Sequence, residues 1–268
     1  MHASEAGNQS TRIRAYPTMR IGTAGWSIPR QMADAFPGDG PHLRRYARVF
    51  ACAEINSSFH RSHRPAVYER WAGETPPSFR FSAKVPRAIT HEGRLLGARA
   101  AFERFLDEAG ALGDRLAVLL VQLPPSLALE GGRASAFFDL AHRLFDGAIV
   151  CEPRHPSWFT TAGDRLLAAA RVGRVATDPV RAPAAVRPGG WLGPAGDGRG
   201  AVVYHRWHGA PTTYRSRYDA AWISARAAEL AAWPPQADVW CIFDNTASGA
   251  AAVNALELRD ALAMRRGT

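Results

Sequence analysis

The sequence has 268 residues, 47% of them hydrophobic and 21% charged, which is ordinary for a globular protein with a sizeable core and excludes a disordered or fibrous chain. Its formal net charge is +9, so the surface is expected to attract anions. No apolar run approaches the roughly 18 residues that cross a bilayer, and the N-terminus lacks the apolar segment of a signal peptide. We therefore expect a cytoplasmic protein with a disordered polar tail at residues 1–18 and one domain at 19–268.

Eight short apolar runs bounded by turn residues predict β-strands. Their starts lie about thirty residues apart, which is the length of one strand–helix–strand unit. The predicted strands are Met19–Trp26, Ala51–Phe59, Phe79–Val85, Leu116–Leu123, Ala148–Glu152, Arg174–Asp178, Ala201–Trp207 and Asp238–Asn245.

The segments between these runs carry apolar residues at spacings of three and four, which predicts helices. The predicted helices are His42–Phe50, Pro65–Ala72, Gly97–Leu112, Ala134–Phe145, Asp164–Val172, Asp219–Trp233 and Ser248–Met264. One interval, Ala182–Gly200, holds six glycines and three prolines, so we expect a long loop over one end of the sheet, placed as a lid. Strands that alternate with helices indicate an α/β protein, a single (β/α)8 TIM-type barrel, with an open doubly wound sheet as the alternative.

The lysine content is unusual, because Lys84 is the only lysine among 33 lysines and arginines. A lysine that persists in so arginine-rich a chain is expected at a confined position where a guanidinium does not fit. A solvated surface position is the alternative. Lys84 lies at the end of a predicted strand, which favours a functional amine.

Three cysteines, Cys52, Cys151 and Cys241, lie in apolar runs, and none belongs to a CxxC pair. This pattern predicts buried free thiols rather than a disulfide framework or a cysteine zinc site. The phosphate-binding signatures GxGxxG and GxxxxGK[ST] are absent, so neither a dinucleotide site nor a P-loop is expected.

Polar residues gather where the predicted strands end, and a barrel carries its chemistry at the carboxyl ends of its strands. If the shared strand faces point inward, acids and cations meet in one mouth. The residues at these ends include Trp26, Glu54, Asn56, Lys84, Gln122, Glu152, Arg154, His155, Asp178, Arg206, His208 and Asn245. A purely structural ion network is the alternative for the same residues.

The residue types suggest roles in catalysis. Lys84 is expected to neutralise developing negative charge, or to act as a base or Schiff-base amine if its pKa is lowered. The candidate proton carriers are Glu54, Glu152, Asp178 and His155. Arg154 and Arg206 are planar forks suited to holding a phosphate or carboxylate.

A catalytic metal is a less favoured alternative. His205 and His208 lie three residues apart, and residues with that spacing on a strand face opposite sides. No cofactor is therefore predicted, and a divalent ion remains the alternative.

Seven motifs occur in order between Ile21 and Leu262: IGTAGWS, AEINSSFHRSHRP, FSAKVPRAITH, VQLPPS, CEPRHPSW, VVYHRWHG and FDNTASGAAAVNA. Together they resemble the YecE-like family, also called domain of unknown function family 72. The resemblance implies a TIM-type barrel and does not imply a reaction. Two positions depart from the family pattern: His60 replaces the usual Tyr, and Asp244 replaces the first of two Asn.

The family motifs match most of the strand-end residues and add further positions, among them Phe59, His91 and Trp158. As the resemblance implies, these three join the candidate substrate-binding set. Trp26, Phe59 and Trp158 are expected to form apolar walls or stacking surfaces.

These features predict an enzyme that acts on an anionic, phosphate-containing substrate, with a phosphodiester hydrolase or nuclease-like barrel as the preferred class. The alternatives are a non-catalytic nucleic-acid-binding barrel and a lysine-dependent lyase or isomerase. The expected partner is an anionic small molecule or a nucleic acid, with no membrane involved.

Overall fold

The computed structural model describes residues 16–180, 182–193 and 202–266, in which strands and helices alternate. The strands are β1 (Thr18–Thr23), β2 (Cys52–Ile55), β3 (Arg80–Lys84), β4 (Leu116–Gln122), β5 (Ala148–Glu152), β6 (Gly173–Arg174), β7 (Ala176–Asp178), β8 (Gly189–Gly190), β9 (Val202–Trp207) and β10 (Asp238–Phe243). The α-helices are α1 (His42–Tyr46), α2 (Pro65–Gly73), α3 (Arg99–Ala109), α4 (Gly131–Leu144), α5 (Thr161–Ala169), α6 (Ala220–Ala231) and α7 (Ala250–Arg266). Residues 1–15 of the expected tail and residues 194–200 of the expected loop lie outside the described residues.

The strands form two sheets, ordered β1-β10-β9-β7 and β2-β3-β4-β5-β6-β8. All paired strands are parallel except β6 and β8, which confirms the α/β class. The two sheets lie close together at two places. At one, only Val175 separates β6 from β7 along the chain; at the other, Ala24 forms an isolated bridge with Glu54 of β2. The strands of the described chain pair as two sheets, and the closed barrel stays a prediction.

Both faces of the sheets are buried, which explains why their strands are nearly continuous apolar runs. In β4, Val118 and Leu120 belong to one apolar cluster, shared with residues of β2, β5, β9 and β10. Leu119 and Val121 face the other way, into the larger cluster that packs against the helices. The alternation of strand side chains therefore divides the core into two layers.

The segment after β7 differs from the expected lid. Gly189 and Gly190 form β8, which pairs antiparallel with Gly173 and Arg174 of β6, at the beginning of the sixth predicted strand. Arg174 also donates to the carbonyl of Ala184 at 2.8 Å. The described part of this segment therefore lies along the beginning of that strand, away from the strand ends, because these hydrogen bonds fix it there.

The three cysteines are buried and free, as predicted. None of the helices within the described ranges is long and apolar enough to cross a membrane.

Candidate functional site

Arg206 of β9 is the centre of a buried ion cluster at the carboxyl ends of the strands. Its guanidinium forms a bidentate ion pair with Glu54 of β2, in which Nε donates to Oε2 at 2.9 Å and Nη2 donates to Oε1 at 2.7 Å. Nη1 donates to Glu152 of β5 at 2.5 Å, and Nη2 also donates to Asp244, just beyond β10, at 3.0 Å. All four side chains are buried. Residues from four separate parts of the chain are thereby joined.

Burial and charge oppose each other in this cluster. Burial by itself would raise the pKa of Glu152, but Arg206 and other nearby cations outweigh it and hold the pKa well below its usual range. Burial would lower the pKa of Arg206, whereas Glu54 and Glu152 raise it well above its usual value. The guanidinium therefore remains charged, and it faces carboxylates rather than open solvent.

His208 is buried between two of these carboxylates. Its Nδ1 lies 3.0 Å from Oδ2 of Asp244, and its Nε2 lies 3.8 Å from Oε1 of Glu152. The backbone N–H of His208 donates to the carbonyl of Asp178 at 2.7 Å. The imidazole is therefore fixed in position beside the cluster, within hydrogen-bond distance of Asp244.

Gln122 and Arg154 complete the surroundings of Glu152. The amide of Gln122 donates to Oε1 of Glu152 at 2.9 Å, and Nε of Arg154 donates to the same oxygen at 3.1 Å. Gln122 is buried, whereas Arg154 is half-buried. Arg154 is therefore the guanidinium of this site that keeps some contact with solvent.

Lys84, at the end of β3, behaves differently from the arginines. It is 6% exposed, and its Nζ lies 4.0 Å from the centroid of the Phe59 ring. Its Nζ forms no hydrogen bond or ion pair with any residue that the structure describes, although its backbone carbonyl accepts from the hydroxyl of Ser58 at 2.7 Å. Burial, and secondarily the charge of Arg206, lower the pKa of Lys84 to about 8, while the nearby carboxylates act in the opposite direction.

His91 lies beside the same aromatic ring. Its ring centroid is 5.0 Å from that of Phe59, and its Nδ1 is 2.9 Å from the hydroxyl of Thr90. Burial and then the charge of Lys84 lower the pKa of His91 to about 4. The imidazole is therefore neutral at physiological pH.

His155 and Asp178 were expected to carry protons, but their described contacts are with other parts of the chain. Nδ1 of His155 accepts from the backbone N–H of Ser157 at 3.2 Å and caps the short helical turn that follows β5. Asp178 accepts from the hydroxyl of Tyr218 at 2.8 Å. Because these contacts hold loops, positioning roles fit both side chains better than proton transfer.

Trp26 and Trp158 pack in the hydrophobic core rather than in the candidate site. Trp158 is 1% exposed and donates to the carbonyl of Leu127 at 2.9 Å, so it offers no stacking surface. Trp26 is half-buried and meets Trp71 and Phe81 edge-on, at centroid distances of 4.9 and 5.9 Å. Of the three expected walls, Phe59 is the one that contacts the candidate reactive group.

The two expected asparagines have separate surroundings. Asn245 is fully buried and donates to the carbonyl of Ser216 and to Oδ1 of Asn254, at 2.9 and 3.0 Å. Asn56 lies beyond the end of β2, and its buried Oδ1 has no hydrogen-bond partner among the described residues. Asn245 therefore anchors the loop after β10 through its amide nitrogen, and its own buried Oδ1, like that of Asn56, has no hydrogen-bond partner among the described residues.

Sequence reasoning left Tyr204 and Asp244 out of the candidate set. The Tyr204 hydroxyl donates to Oε2 of Glu54 at 3.0 Å and lies 2.6 Å from the hydroxyl of Ser82. Its position two residues before Arg206 on β9 places both side chains on one strand face, and this spacing was the available signal. Asp244 stands beside Asn245 at the end of a predicted strand and departs from the family pattern, but it was given no role.

A metal ion was the expected alternative. In the described ranges, no three His, Cys, Asp or Glu side chains are placed together so that they could bind one. The Arg206 guanidinium occupies the space between the three carboxylates.

The fold and the site define a class: an α/β protein with parallel strands, whose strand ends enclose an arginine–carboxylate cluster and a solitary lysine. A family model described as "Protein of unknown function DUF72" matches residues 20–268. The chain therefore belongs to the DUF72 family, which confirms the resemblance seen in its motifs.

Two curated relatives carry the name UPF0759. The chain is 30% identical over 140 residues to UPF0759 protein YecE of Escherichia coli (strain K12), a match that covers 52% of this chain and 49% of that protein. It is 25% identical over 146 residues to UPF0759 protein YunF of Bacillus subtilis (strain 168), covering 52% of each. The aligned region spans about half the length of these curated relatives.

Solved DUF72 structures resemble the whole fold. The DUF72 protein of Thermotoga maritima MSB8 superposes with a TM-score of 0.72 at 20% identity, covering 92% of this chain and 99% of that one. A DUF72 protein of Enterococcus faecalis V583 gives the same TM-score and identity, covering 92% and 96%. At this identity the similarity concerns the fold alone.

Proposed function

We propose that the protein is an enzyme in which the Lys84 amine attacks the carbonyl group of an anionic substrate, as in lysine-dependent lyases and isomerases. The observation that carries this proposal is the contrast between the cations of the site. Arg206 and Arg154 contact carboxylates, whereas the amine of Lys84 is buried against Phe59 without a described hydrogen bond or ion pair. An amine held in this way is available for chemistry.

The lowered pKa makes this chemistry practicable near neutral pH. With a pKa of about 8, the Lys84 amine is neutral in about a tenth of the protein molecules at pH 7. For a solvated lysine the neutral fraction is less than about a thousandth. Only the neutral amine has a lone pair with which to attack carbon. Burial beside Arg206 thus supplies the nucleophile.

The proposed reaction begins with a covalent bond between Lys84 and the substrate. The amine nitrogen of Lys84 forms a bond to the carbonyl carbon, and the carbonyl oxygen takes up a proton, giving a carbinolamine. Loss of the hydroxyl group as water leaves a protonated Schiff base, which withdraws electrons from the neighbouring carbon–carbon or carbon–hydrogen bond. The neutral His91 ring, which shares the Phe59 wall, is a suitable acceptor for a proton released there.

Arg154 is the proposed anchor for the substrate's anionic group. It donates to Glu152 through Nε, which leaves the hydrogens of its terminal nitrogens for Tyr214 and for a carboxylate or phosphate. We place this reaction in the cytoplasm, where the three buried, unbridged cysteines would stay reduced.

Reductive trapping tests the proposal. The protein is incubated with pyruvate or glyceraldehyde 3-phosphate, reduced with borohydride, and analysed by peptide mass spectrometry. Because Lys84 is the only lysine, a lysine adduct has one possible location, and the N-terminal amine is resolved as a separate peptide. We expect an adduct on Lys84 whose rate rises as the pH increases towards about 8. Adducts confined to the N-terminal amine would refute the proposal.

The phosphodiester hydrolase and the nucleic-acid-binding barrel remain predictions that depend on free guanidiniums. The three carboxylates around Arg206 make it a weaker phosphate ligand, so the geometry favours lysine chemistry. Hydrolysis of bis(4-nitrophenyl) phosphate that Lys84→Met abolishes, without any Schiff-base adduct, would favour the hydrolase instead.

We further infer that the two sheets form one (β/α)8 barrel. The N–H of Gly25, just beyond β1, donates to the carbonyl of Glu54 at 2.8 Å across one seam, and Val175 continues the chain across the other. The apolar cluster that joins Val118, Leu120 and Ile242 also suits an enclosed barrel interior. Amide hydrogen exchange checks this: the Gly25 amide should be strongly protected, unlike the exposed Gly97. Equal exchange at both would indicate an open seam.

A further inference from the structure

A cavity of about 260 Å³ lies beside the Lys84 site, between the segment after β2, the segment after β3 and helix α3. Phe59 lines this cavity and also contacts Lys84, whereas Lys84 itself is not part of the lining. Its size is close to the lower end of the range for small-molecule sites, roughly 300–1,000 Å³. The cavity thus suits a ligand about as large as a monosaccharide.

The walls of the cavity carry two guanidiniums that the protein leaves unused. Arg61, after β2, and Arg104, on α3, are exposed, and their guanidiniums form no ion pair or hydrogen bond with residues in the described parts of the chain. Arg87 also lines the cavity but is paired with Glu92 at 3.2 Å. Arg61 and Arg104 are therefore the side chains able to bind an anionic group entering the cavity.

The Tyr68 hydroxyl is the strongest sign of a missing ligand. Tyr68 is fully buried, lines the cavity, and its hydroxyl has no hydrogen-bond partner among the described residues. A buried hydroxyl without a partner is costly, so an incoming ligand that supplies one is favoured. Burial and the nearby Glu108 raise the pKa of Tyr68 to about 12, so the group remains a donor.

Glu108 supplies an acceptor next to this donor. Glu108 also lines the cavity; its Oε2 accepts from the hydroxyl of Ser62, and its Oε1 has no described partner. A carboxylate here repels a bare inorganic anion but accepts readily from an alcohol. Phe59 and Phe105 add apolar surface of the kind that covers the C–H face of a sugar ring.

We propose that this cavity binds a sugar carrying a phosphate or a carboxylate, with the anionic group on Arg61 and Arg104 and ring hydroxyls on Tyr68 and Glu108. This class of ligand matches the lining of the cavity. Two guanidiniums can bind the anionic group, Tyr68 and Glu108 provide a donor and an acceptor for ring hydroxyls, and two aromatic rings provide apolar surface. The site is distinct from the lysine chemistry, since Lys84 lies outside its lining.

Isothermal titration calorimetry of the full chain tests the site, with glucose 6-phosphate, ribose 5-phosphate and gluconate as probes. We expect saturable binding of at least one probe. The double variant Arg61→Gln/Arg104→Gln should weaken it by about tenfold or more, because it removes charge-assisted hydrogen bonds. Tyr68→Phe, which keeps the ring and deletes only an unpartnered hydroxyl, should fold normally and weaken binding several-fold.

Arg44→Gln serves as the control, because Arg44 is exposed, has no described side-chain partner and lies outside the cavity lining. This variant should leave the affinity of the sugar probes unchanged. Gluconate separates this test from the lysine chemistry, since it has no aldehyde or ketone with which an amine could condense. Three results would overturn the proposal: no saturable binding of any probe, binding unaffected by the double variant, or inorganic phosphate bound as tightly as the sugar phosphates.

Discussion

At the scale of single residues, Lys84 links the proposed chemistry to stability. In the folded protein its pKa is about 8, against an ordinary value of 10.5. Between these values the unfolded chain binds the proton more readily, so stability is lost as the pH falls from about 10.5 to 8 and stays low below. The loss amounts to about 3 kcal/mol.

The variant Lys84→Met isolates this effect, because other groups that titrate at alkaline pH are common to both proteins. Urea unfolding at pH 7 and pH 9.5 should show the wild type gaining stability relative to Lys84→Met at the higher pH. A difference independent of pH would mean that the amine is not desolvated in the folded state, which would also weaken the proposed nucleophile.

In contrast to Lys84, Arg206 is expected to stabilise the fold, because neighbouring carboxylates balance its charge. Arg206→Met would leave three buried carboxylates without their counter-charge, and breaking a buried pair in this way costs about 3–5 kcal/mol. Denaturant unfolding measures the loss. Arg20→Met is the matched control: its partner Asp238 is partly exposed, so about 1 kcal/mol or less is expected. Equal losses in the two variants would contradict a tightly coupled cluster.

At the scale of elements, β1 is held closely against β2. A Cβ added to Gly22 would lie 2.2 Å from the carbonyl oxygen of Cys52, which is backbone and has little freedom to move. We expect Gly22→Ala to cost about 3 kcal/mol. Gly25, whose φ of +79° is left-handed but whose Cβ position is open, should cost about 1 kcal/mol on substitution by Ala. Thermal unfolding of both variants provides the comparison, and a milder effect at Gly22 would mean that the strands separate easily.

Element boundaries show how far the sequence pattern extends. The apolar runs located every strand except the short β8, although the one predicted strand Arg174–Asp178 is divided between β6 and β7. β2 ends at Ile55 rather than Phe59, and Ser57–Phe59 forms a helical turn. Asn56 therefore lies outside the strand, so strand alternation does not place it on the face of Glu54. Periodicity marks the buried part of a strand well, whereas its end depends on where hydrogen-bonding partners stop.

At the scale of the whole molecule, the ion cluster ties distant strands together and makes the fold sensitive to acid. Arg206 holds the pKa of Glu152 well below its ordinary value of 4.5 in the folded state. The ionised carboxylate thus contributes stability that is complete above about pH 5 and is lost as the pH falls towards the folded-state pKa.

Glu152→Gln tests this dependence. The variant should be less stable at pH 7, and its unfolding free energy should fall less steeply between pH 5 and pH 3 than that of the wild type. Parallel curves would show that Glu152 gains no stabilisation from its cationic neighbours. Asp244, whose pKa Arg206 and His208 also lower against the opposing effect of burial, remains in both proteins and sets the common background.

The sequence by itself determined the α/β class, the position of most elements and the special status of Lys84, because apolar periodicity and residue type are local properties. Only the tertiary structure decided which cations remain usable. Arg206 and Lys84 both lie near the carboxyl ends of buried strands, yet carboxylates from distant parts of the chain enclose Arg206, whereas Lys84 packs on an aromatic ring. Electrostatic pairing depends on distances of a few ångströms between residues far apart in the chain, and no local pattern encodes those distances.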